Sequence, residues 1–167
     1  PMPVASRAPR PILKVSGSLN PELGGVSVPT HLTAFMQGRG RPGRNGPLDG
    51  AGRRSVYLEV RRNFLAPMME AFDRPIPSDP VGQRARSNVP AQALMLLNDP
   101  FVHQQARRWA EGLGPNQPEF DARSAVASVY RSALGRNPTS TETDACLGFV
   151  QTQYQALSGS ESENREQ

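Results

Sequence analysis

The spacing of apolar residues along the chain changes near residue 62. Before this point Val56, Leu58 and Val60 alternate with residues that can face solvent, which predicts a short half-buried strand. After it, the apolar positions of residues 65–72 fall on one helical face and predict a short helix. The change of period therefore predicts a junction between a loop-rich first part and a helical second part.

Beyond residue 87 the apolar residues recur every three or four positions, which predicts four further helices. Their expected ranges are 88–98, 99–113, 119–134 and 139–157. Local end signals support them, because Asp99 before Pro100 is a good N-cap, Thr139 with Glu142 forms a capping box, and Gly135 can end the third helix. The short connections favour antiparallel neighbours packed as a small bundle.

The same pattern divides the chain into four regions. Residues 1–11 form an extended Pro-rich segment, 12–52 a basic loop-rich arm, 53–157 the strand plus helical core, and 158–167 a disordered tail. The predicted fold class is mainly α: a small helix bundle with one short β-strand and long Gly/Pro/Arg-rich N-terminal loops.

Charge is distributed unevenly along the 167 residues. The first 62 residues contain ten Arg or Lys and three acidic residues, a net charge of +7, whereas the remainder has nine basic and twelve acidic residues, a net charge of −3. The first part can therefore attract an anionic surface, a polysaccharide or an acidic partner. A GC-rich genome would produce the same preference for arginine without selection for binding.

Composition excludes several classes of protein. The single cysteine, Cys146, excludes an internal disulfide, a Cys-rich zinc site and covalent haem attachment within this chain. No apolar run approaches the ~20 residues needed to cross a bilayer, and residues 1–11 contain no signal-peptide core. We therefore expect no cofactor in this chain, no membrane span and no signal peptide.

An arginine cluster is the candidate binding site, for an anion or a partner domain. Its members are Arg39, Arg41, Arg44, Arg53, Arg54, Arg61 and Arg62. Glycines between them allow the backbone to approach an anion, and guanidinium groups can bind phosphate, sulfate or carboxylate. The alternative is that these arginines pair with acidic residues of the protein itself. Nucleic acid is not favoured, since aromatic residues that stack on bases are nearly absent from the loop.

No set of residues indicates catalysis. His31 and His103 each lack a partner at metal-binding spacing, so a structural or solvated role is expected for both. Cys146 and Trp109 lie at core spacing, which favours packing roles. We predict no catalytic residues and no metal ligands.

Several longer motifs, in order along the chain, resemble the planctomycete PSD-one family, a domain of unknown function. They are residues 15–21 (VSGSLNP), 38–44 (GRGRPGR), 53–63 (RRSVYLEVRRN), 69–73 (MEAFD), 88–102 (NVPAQALMLLNDPFV) and 133–139 (ALGRNPT). The resemblance covers about residues 12–157, the C-terminal part of the family domain. The family has a helix ahead of the first motif, where this chain has its Pro-rich string.

The resemblance implies a fragment of a larger extracytoplasmic planctomycete protein, periplasmic or at the cell surface, that carries c-type haem in another domain. The leading hypothesis is a non-catalytic interaction or structural module whose partners are the upstream domains of that protein. Two alternatives remain: part of an enzyme active site, in polysaccharide or redox chemistry, or an anion-binding module that uses the arginine cluster.

Overall fold

The computed structural model describes residues 9–61, 63–72 and 90–163. These residues are mainly helical, as predicted. The helices are α1 (Pro9–Val15), α2 (Pro67–Ala71), α3 (Pro90–Asn98), α4 (Pro100–Gly112), α5 (Ala122–Leu134) and α6 (Ser140–Glu163). The chain divides into two compact units, Pro1–Gly112 and Leu113–Gln167. The boundary between them falls inside segment 53–157, which we expected to form one core. None of the described helices combines the length and apolar character of a membrane span.

The core of the first unit lies where α1, α2 and α4 meet. Leu13, Met68 and Phe101 are buried together. Further apolar side chains pack around them: Ile12, Leu19, Leu48, Phe72 and Val102. Helix α1 packs on α4, and α3 packs on both α2 and α4. Ser16, just after α1, also donates a 2.7 Å hydrogen bond to the buried side-chain oxygen of Gln105 on α4.

Helix α1 corrects the prediction of an extended segment at residues 1–11 as far as residues 9–11 are concerned, and residues 1–8 lie outside the described residues. The helix begins at Pro9 and includes Pro11 in its first turn. The first N–H groups of a helix have no acceptor within the helix, so a proline there removes no hydrogen bond. A helix therefore precedes the 15–21 motif, as the family resemblance implies.

The predicted strand at residues 56–60 is the second correction. Ser55–Tyr57 form a 3-10 turn, and only single bridges follow it, from Leu58 to Val28 and from Arg61 to Phe64. The backbone of Val28 bonds to Tyr57 and Glu59 at 2.8 and 2.7 Å. The next rung would join the backbone of Thr30 to Glu59 and Arg61, but the Thr30 side-chain hydroxyl donates to the Glu59 carbonyl and the Thr30 carbonyl accepts from Gly46 instead, so the pairing does not lengthen into a ladder.

Residues 38–54 form an ordered loop held by backbone contacts. The N–H of Gly46 donates to the carbonyl of Thr30, and the N–H of Leu32 donates to the side-chain oxygen of Asn45 at 2.6 Å. Gly46 lies against the chain at residue 29, so closely that a Cβ atom on it would stand 1.8 Å from the Pro29 carbonyl oxygen. The absence of a side chain at residue 46 is therefore a packing requirement.

The second unit is a hairpin of α5 and α6. Asp121 caps α5 by accepting hydrogen bonds from the N–H groups of Arg123 and Ser124, so the helix begins at Ala122, three residues later than predicted. Gly135 ends α5 in the left-handed conformation, as expected. Helix α6 continues to Glu163, beyond the predicted end at 157 and into the segment predicted to be disordered. No proline interrupts it, so each added residue gains a further backbone hydrogen bond.

Candidate functional site

Arg53 lies inside the first unit and makes contacts with its own chain. Its side chain is buried, donates through Nη2 to the Gly24 carbonyl and approaches the Glu22 carboxylate at 3.7 Å. The guanidinium carbon lies 4.4 Å from the centre of the Tyr57 ring, a cation–π contact. Arg53 therefore ties the loop at residues 22–25 to the 3-10 turn at 55–57.

The arginines of the glycine-rich loop are exposed. Arg41 folds back and donates through Nη1 to the carbonyls of Met36 and Thr33. Arg39 and Arg44 are exposed and form no ion pair among the described residues. Among the described residues of this loop, Arg39 and Arg44 can therefore bind a ligand without breaking an existing contact, whereas Arg41 cannot.

The remaining arginines of the predicted cluster have different surroundings. Arg61 is exposed and pairs with Glu59 at 2.7 Å, as the alternative of internal pairing proposed. Arg54 is half-buried, and its Nε atom is buried without a hydrogen-bond partner. Arg62 lies outside the described residues.

The structure therefore separates the predicted cluster into internal and surface members. One surface cleft brings the loop and the bridge region together, since Gly40, Glu59 and Arg61 all line it. This cleft is the place where an anion would meet both Arg61 and the backbone between Arg39 and Arg41. Arg61 already forms an ion pair with Glu59, and Glu59 therefore competes with such an anion for Arg61.

A polar junction that the sequence did not reveal lies at Asp49. Its carboxylate accepts from the N–H of Ala51 at 3.0 Å and from Nη1 of Arg108 on α4 at 3.2 Å. The same Arg108 nitrogen donates to the Ser18 hydroxyl at 3.2 Å. Asp49 therefore anchors the glycine-rich loop to α4. In the sequence, Asp49 is an acidic residue within a Gly-rich segment, and this pattern by itself indicates only a turn.

A pocket of about 140 Å³ adjoins the core of the first unit. Its apolar wall comes from α1, α2, α4 and the loop. The described apolar residues lining it are Leu13, Leu48, Leu58, Ala66, Pro67, Met68, Met69, Pro100 and Phe101. The described polar residues lining it are His31, Thr33, Asp49, Arg53 and Asp99. A smaller neighbouring pocket shares His31 as a lining residue.

His31 is held in one orientation at this pocket. Its Nδ1 atom lies 2.9 Å from the Gly46 carbonyl oxygen. A carbonyl oxygen only accepts hydrogen bonds, so Nδ1 carries the proton and Nε2 of the neutral ring is an acceptor. Nδ1 of His31 therefore has the structural role that we expected. Nε2 has no hydrogen-bond partner among the described residues.

The charged groups of the pocket wall already have partners. Asp99 caps α4 by accepting from the N–H of Phe101 at 2.8 Å, as predicted. Asp49 binds Arg108, and Arg53 binds the Gly24 carbonyl. The pocket therefore offers an apolar surface with a histidine acceptor, in a wall that contains two carboxylates and one guanidinium.

In the second unit, Glu142 joins a compact polar network at the start of α6. It accepts from the N–H of Thr139 at 2.8 Å, while Thr139 Oγ1 accepts from the N–H of Glu142 at 3.2 Å, which confirms the capping box. Arg136 donates to both carboxylate oxygens at 2.6 and 2.8 Å. These bonds from Arg136, with those from Thr139, lower the pKa of Glu142 to about 2. The pKa of Arg136 is raised by the same contact.

This network predicts a pH-dependent contribution to the stability of the hairpin. The pKa of Glu142 is lower in the folded state than its ordinary value near 4.3, so its contribution is complete above that value and is lost as the pH falls towards 2. Glu142→Gln keeps an oxygen for the cap but removes the charge. We expect the melting temperatures of the unchanged chain and of Glu142→Gln, measured by circular dichroism, to differ most above pH 5 and to converge towards pH 2. A difference that is constant with pH would contradict this, and Glu111→Gln, an exposed carboxylate on α4, is the control.

The middle of α6 presents an exposed apolar stripe. Phe149, Val150, Tyr154 and Leu157 are 65%, 59%, 72% and 67% exposed. The spacing of Val150, Tyr154 and Leu157 predicts a buried helical face, and the structure corrects this prediction. The 24 residues of α6 span about 36 Å and the 13 residues of α5 about 20 Å, so Tyr154 and Leu157 lie beyond the part of α6 that α5 can cover. Phe149 and Val150 lie within that part and are exposed nonetheless.

The described residues are thus mainly helical, with a glycine- and arginine-rich loop and a pocket in the first unit and an exposed apolar stripe on α6 in the second. No group of three or more His, Cys, Asp or Glu residues suited to a metal ion occurs in the part of the chain that the structure describes. The family "PSD1: Protein of unknown function (DUF1553)" matches residues 10–150, so the chain belongs to this family. No curated protein and no solved structure matches it.

Proposed function

We propose that this domain is a non-catalytic interaction or structural module of a larger extracytoplasmic planctomycete protein that also carries c-type cytochrome domains. Its partners are the upstream domains of that same protein. The exposed stripe of Phe149, Val150, Tyr154 and Leu157 on α6 carries the proposal. The family resemblance supports the setting.

The stripe has the properties of a contact surface. On an ideal helix its four residues fall within an arc of about 140°, wide enough to lie against another protein surface. Two of them, Phe149 and Tyr154, are aromatic, and aromatic residues are enriched at interface centres. Exposed apolar side chains that are contiguous on one face mark interaction sites more often than isolated ones do.

Arginine residues have a supporting role in this proposal. Arg39 and Arg44 are exposed and unpaired among the described residues, so they are available to an acidic partner surface. Arg53 is buried against Gly24 and Tyr57, so its replacement would disturb the fold together with any docking. The stripe on α6 is therefore the cleaner place to test the proposal.

The experiment compares two double variants of the full chain. Phe149→Ser with Tyr154→Ser removes the aromatic part of the stripe, while Gln151→Ser with Gln155→Ser changes exposed polar residues of the same helix. The binding partner is the segment encoded immediately upstream in the same gene, produced as a separate polypeptide. We expect titration calorimetry to show at least about tenfold weaker binding for the aromatic variant and little change for the control.

Three results would contradict the proposal. The upstream reading frame could encode no Cys-x-x-Cys-His motif, which would remove the cytochrome association. The upstream segment could fail to bind the unchanged chain. The two double variants could also bind equally well with equal helix content, which would remove the stripe from the interface.

Anion binding by the arginine cluster is the second candidate function. The observation that favours it is the cleft where Gly40 and Arg61 lie together. It ranks second because Arg41, Arg53 and Arg61 already form contacts within the chain.

A further inference from the structure

The pocket beside the core of the first unit has no part in the docking proposed for α6. Its volume of about 140 Å³ is close to that of the apolar cavity of about 150 Å³ that binds benzene in a well-studied protein. A single six-membered ring therefore fits the space. The surrounding wall of Leu13, Met68, Met69 and Phe101 supplies the apolar surface for such a ring.

The pocket also has polar groups that lack partners within the described chain. His31 directs Nδ1 to the Gly46 carbonyl, which makes Nε2 an acceptor. The buried polar side-chain atoms without a hydrogen-bond partner are, among the described residues, Arg53 Nε and Arg54 Nε. His31 and Thr33 both line the pocket, and neither His31 Nε2 nor the Thr33 hydroxyl has a hydrogen-bond partner among the described residues.

The charges of the wall favour a neutral ligand. Asp49 and Asp99 both line the pocket, and either carboxylate would repel an anion. Arg53 is the only guanidinium among the described residues that line it, and its Nη2 atom is bound to the Gly24 carbonyl. A hydroxyl group that donates to His31 Nε2 requires no new charge partner.

We propose that this pocket binds a small neutral molecule that consists of one ring with a hydroxyl group. The ring packs on the apolar wall, and the hydroxyl donates to Nε2 of His31 with Thr33 as a second polar partner. The site is independent of the docking surface on α6, so failure of one proposal leaves the other standing.

Three aromatic probes of similar size test the proposal on the full chain: phenol, benzene and benzoate. We expect ligand-observed NMR titrations to show saturable binding, with phenol about 2- to 10-fold tighter than benzene because one hydrogen bond is added. Benzoate should bind more weakly than phenol. Competition between phenol and benzene would show that they share one site.

Two variants assign the hydrogen bonds. His31→Phe removes the acceptor, and Thr33→Val removes a hydroxyl while keeping the shape of the side chain. Each should lower the affinity for phenol towards that for benzene, which should itself change little, and circular dichroism checks that each variant is folded. His103→Gln, at an exposed histidine of α4, is the control and should bind like the unchanged chain.

The proposal fails if the folded chain shows no saturable binding of any probe, since the pocket would then be a packing defect. It also fails if the preference for phenol over benzene is the same in both variants as in the unchanged chain. Tighter binding of benzoate than of phenol would overturn the neutral hydroxyl and point to an anion instead.

Discussion

Replacing Gly46 with alanine is expected to destabilise the first unit by about 3 kcal/mol or more. The new Cβ atom would stand 1.8 Å from the Pro29 carbonyl oxygen and 2.6 Å from its carbonyl carbon, and both are backbone atoms. Moving the loop away would stretch the bond from Gly46 to the Thr30 carbonyl and the contact of His31 with Gly46. Neither side of the contact can yield without losing a hydrogen bond.

The control for this experiment is Gly43→Ala, three residues earlier in the same loop. A Cβ atom at Gly43 would meet no atom within 4 Å, so we expect a change of at most about 0.5 kcal/mol. Urea denaturation followed by Trp109 fluorescence measures both variants. Equal midpoints for the two alanine variants would show that the loop does not pack against residue 29 as described.

Replacing Phe101 with alanine is expected to cost about 3 to 5 kcal/mol, the range for a large aromatic side chain removed from a core. Phe101 is only 7% exposed and packs with Leu13 and Met68. Without this side chain, the N-terminal end of α4 loses its contact with the buried residues of α1 and α2. The deletion would also enlarge the adjoining pocket, which limits how far the neighbours can relax into the space.

Phe35→Ala is the matched control for Phe101→Ala. Phe35 belongs to the same unit but is 96% exposed, so the same truncation should change the free energy of unfolding by at most about 0.5 kcal/mol. Comparable losses in the two variants would contradict the placement of the core. A loss confined to Phe101→Ala would confirm it.

Elements that depend on near neighbours in the sequence were predictable. The cap at Asp99, the capping box of Thr139 with Glu142, and the glycine end of α5 at Gly135 all lie where predicted. Each involves groups within four residues of one another, so local rules of backbone hydrogen bonding determine them. The mainly helical fold class follows from these signals and the 3.6-residue spacing.

Elements that depend on distant segments were predicted less well. The alternation at residues 56–60 indicated a strand, but in the segment beside it only Val28 makes ladder bonds, because the Thr30 carbonyl accepts from Gly46 instead. The apolar stripe of α6 indicated burial, but α5 is the shorter helix and cannot reach Tyr154 and Leu157. In both cases the residues had the required pattern, but the neighbouring segment did not pair with or cover them all.

The predicted site shows the same division. Seven arginines close in sequence suggested one cluster, yet Arg53 is buried against Gly24 and Tyr57 while Arg39 is exposed. The pocket at His31 was not predictable, because its walls come from residues up to 88 positions apart, from Leu13 to Phe101. No local motif links side chains separated by that distance.

The sequence by itself determined that α2 to α6 form, the end signals at Asp99, Gly135 and Thr139, and the uneven distribution of charge, because these depend on residue type and short spacing. Tertiary structure alone decided which arginines face solvent, which apolar stripe stays uncovered and where the pocket lies. These properties depend on which segments meet, and that is set by the packing of Leu13, Met68 and Phe101 and by the close approach of Gly46 to Pro29.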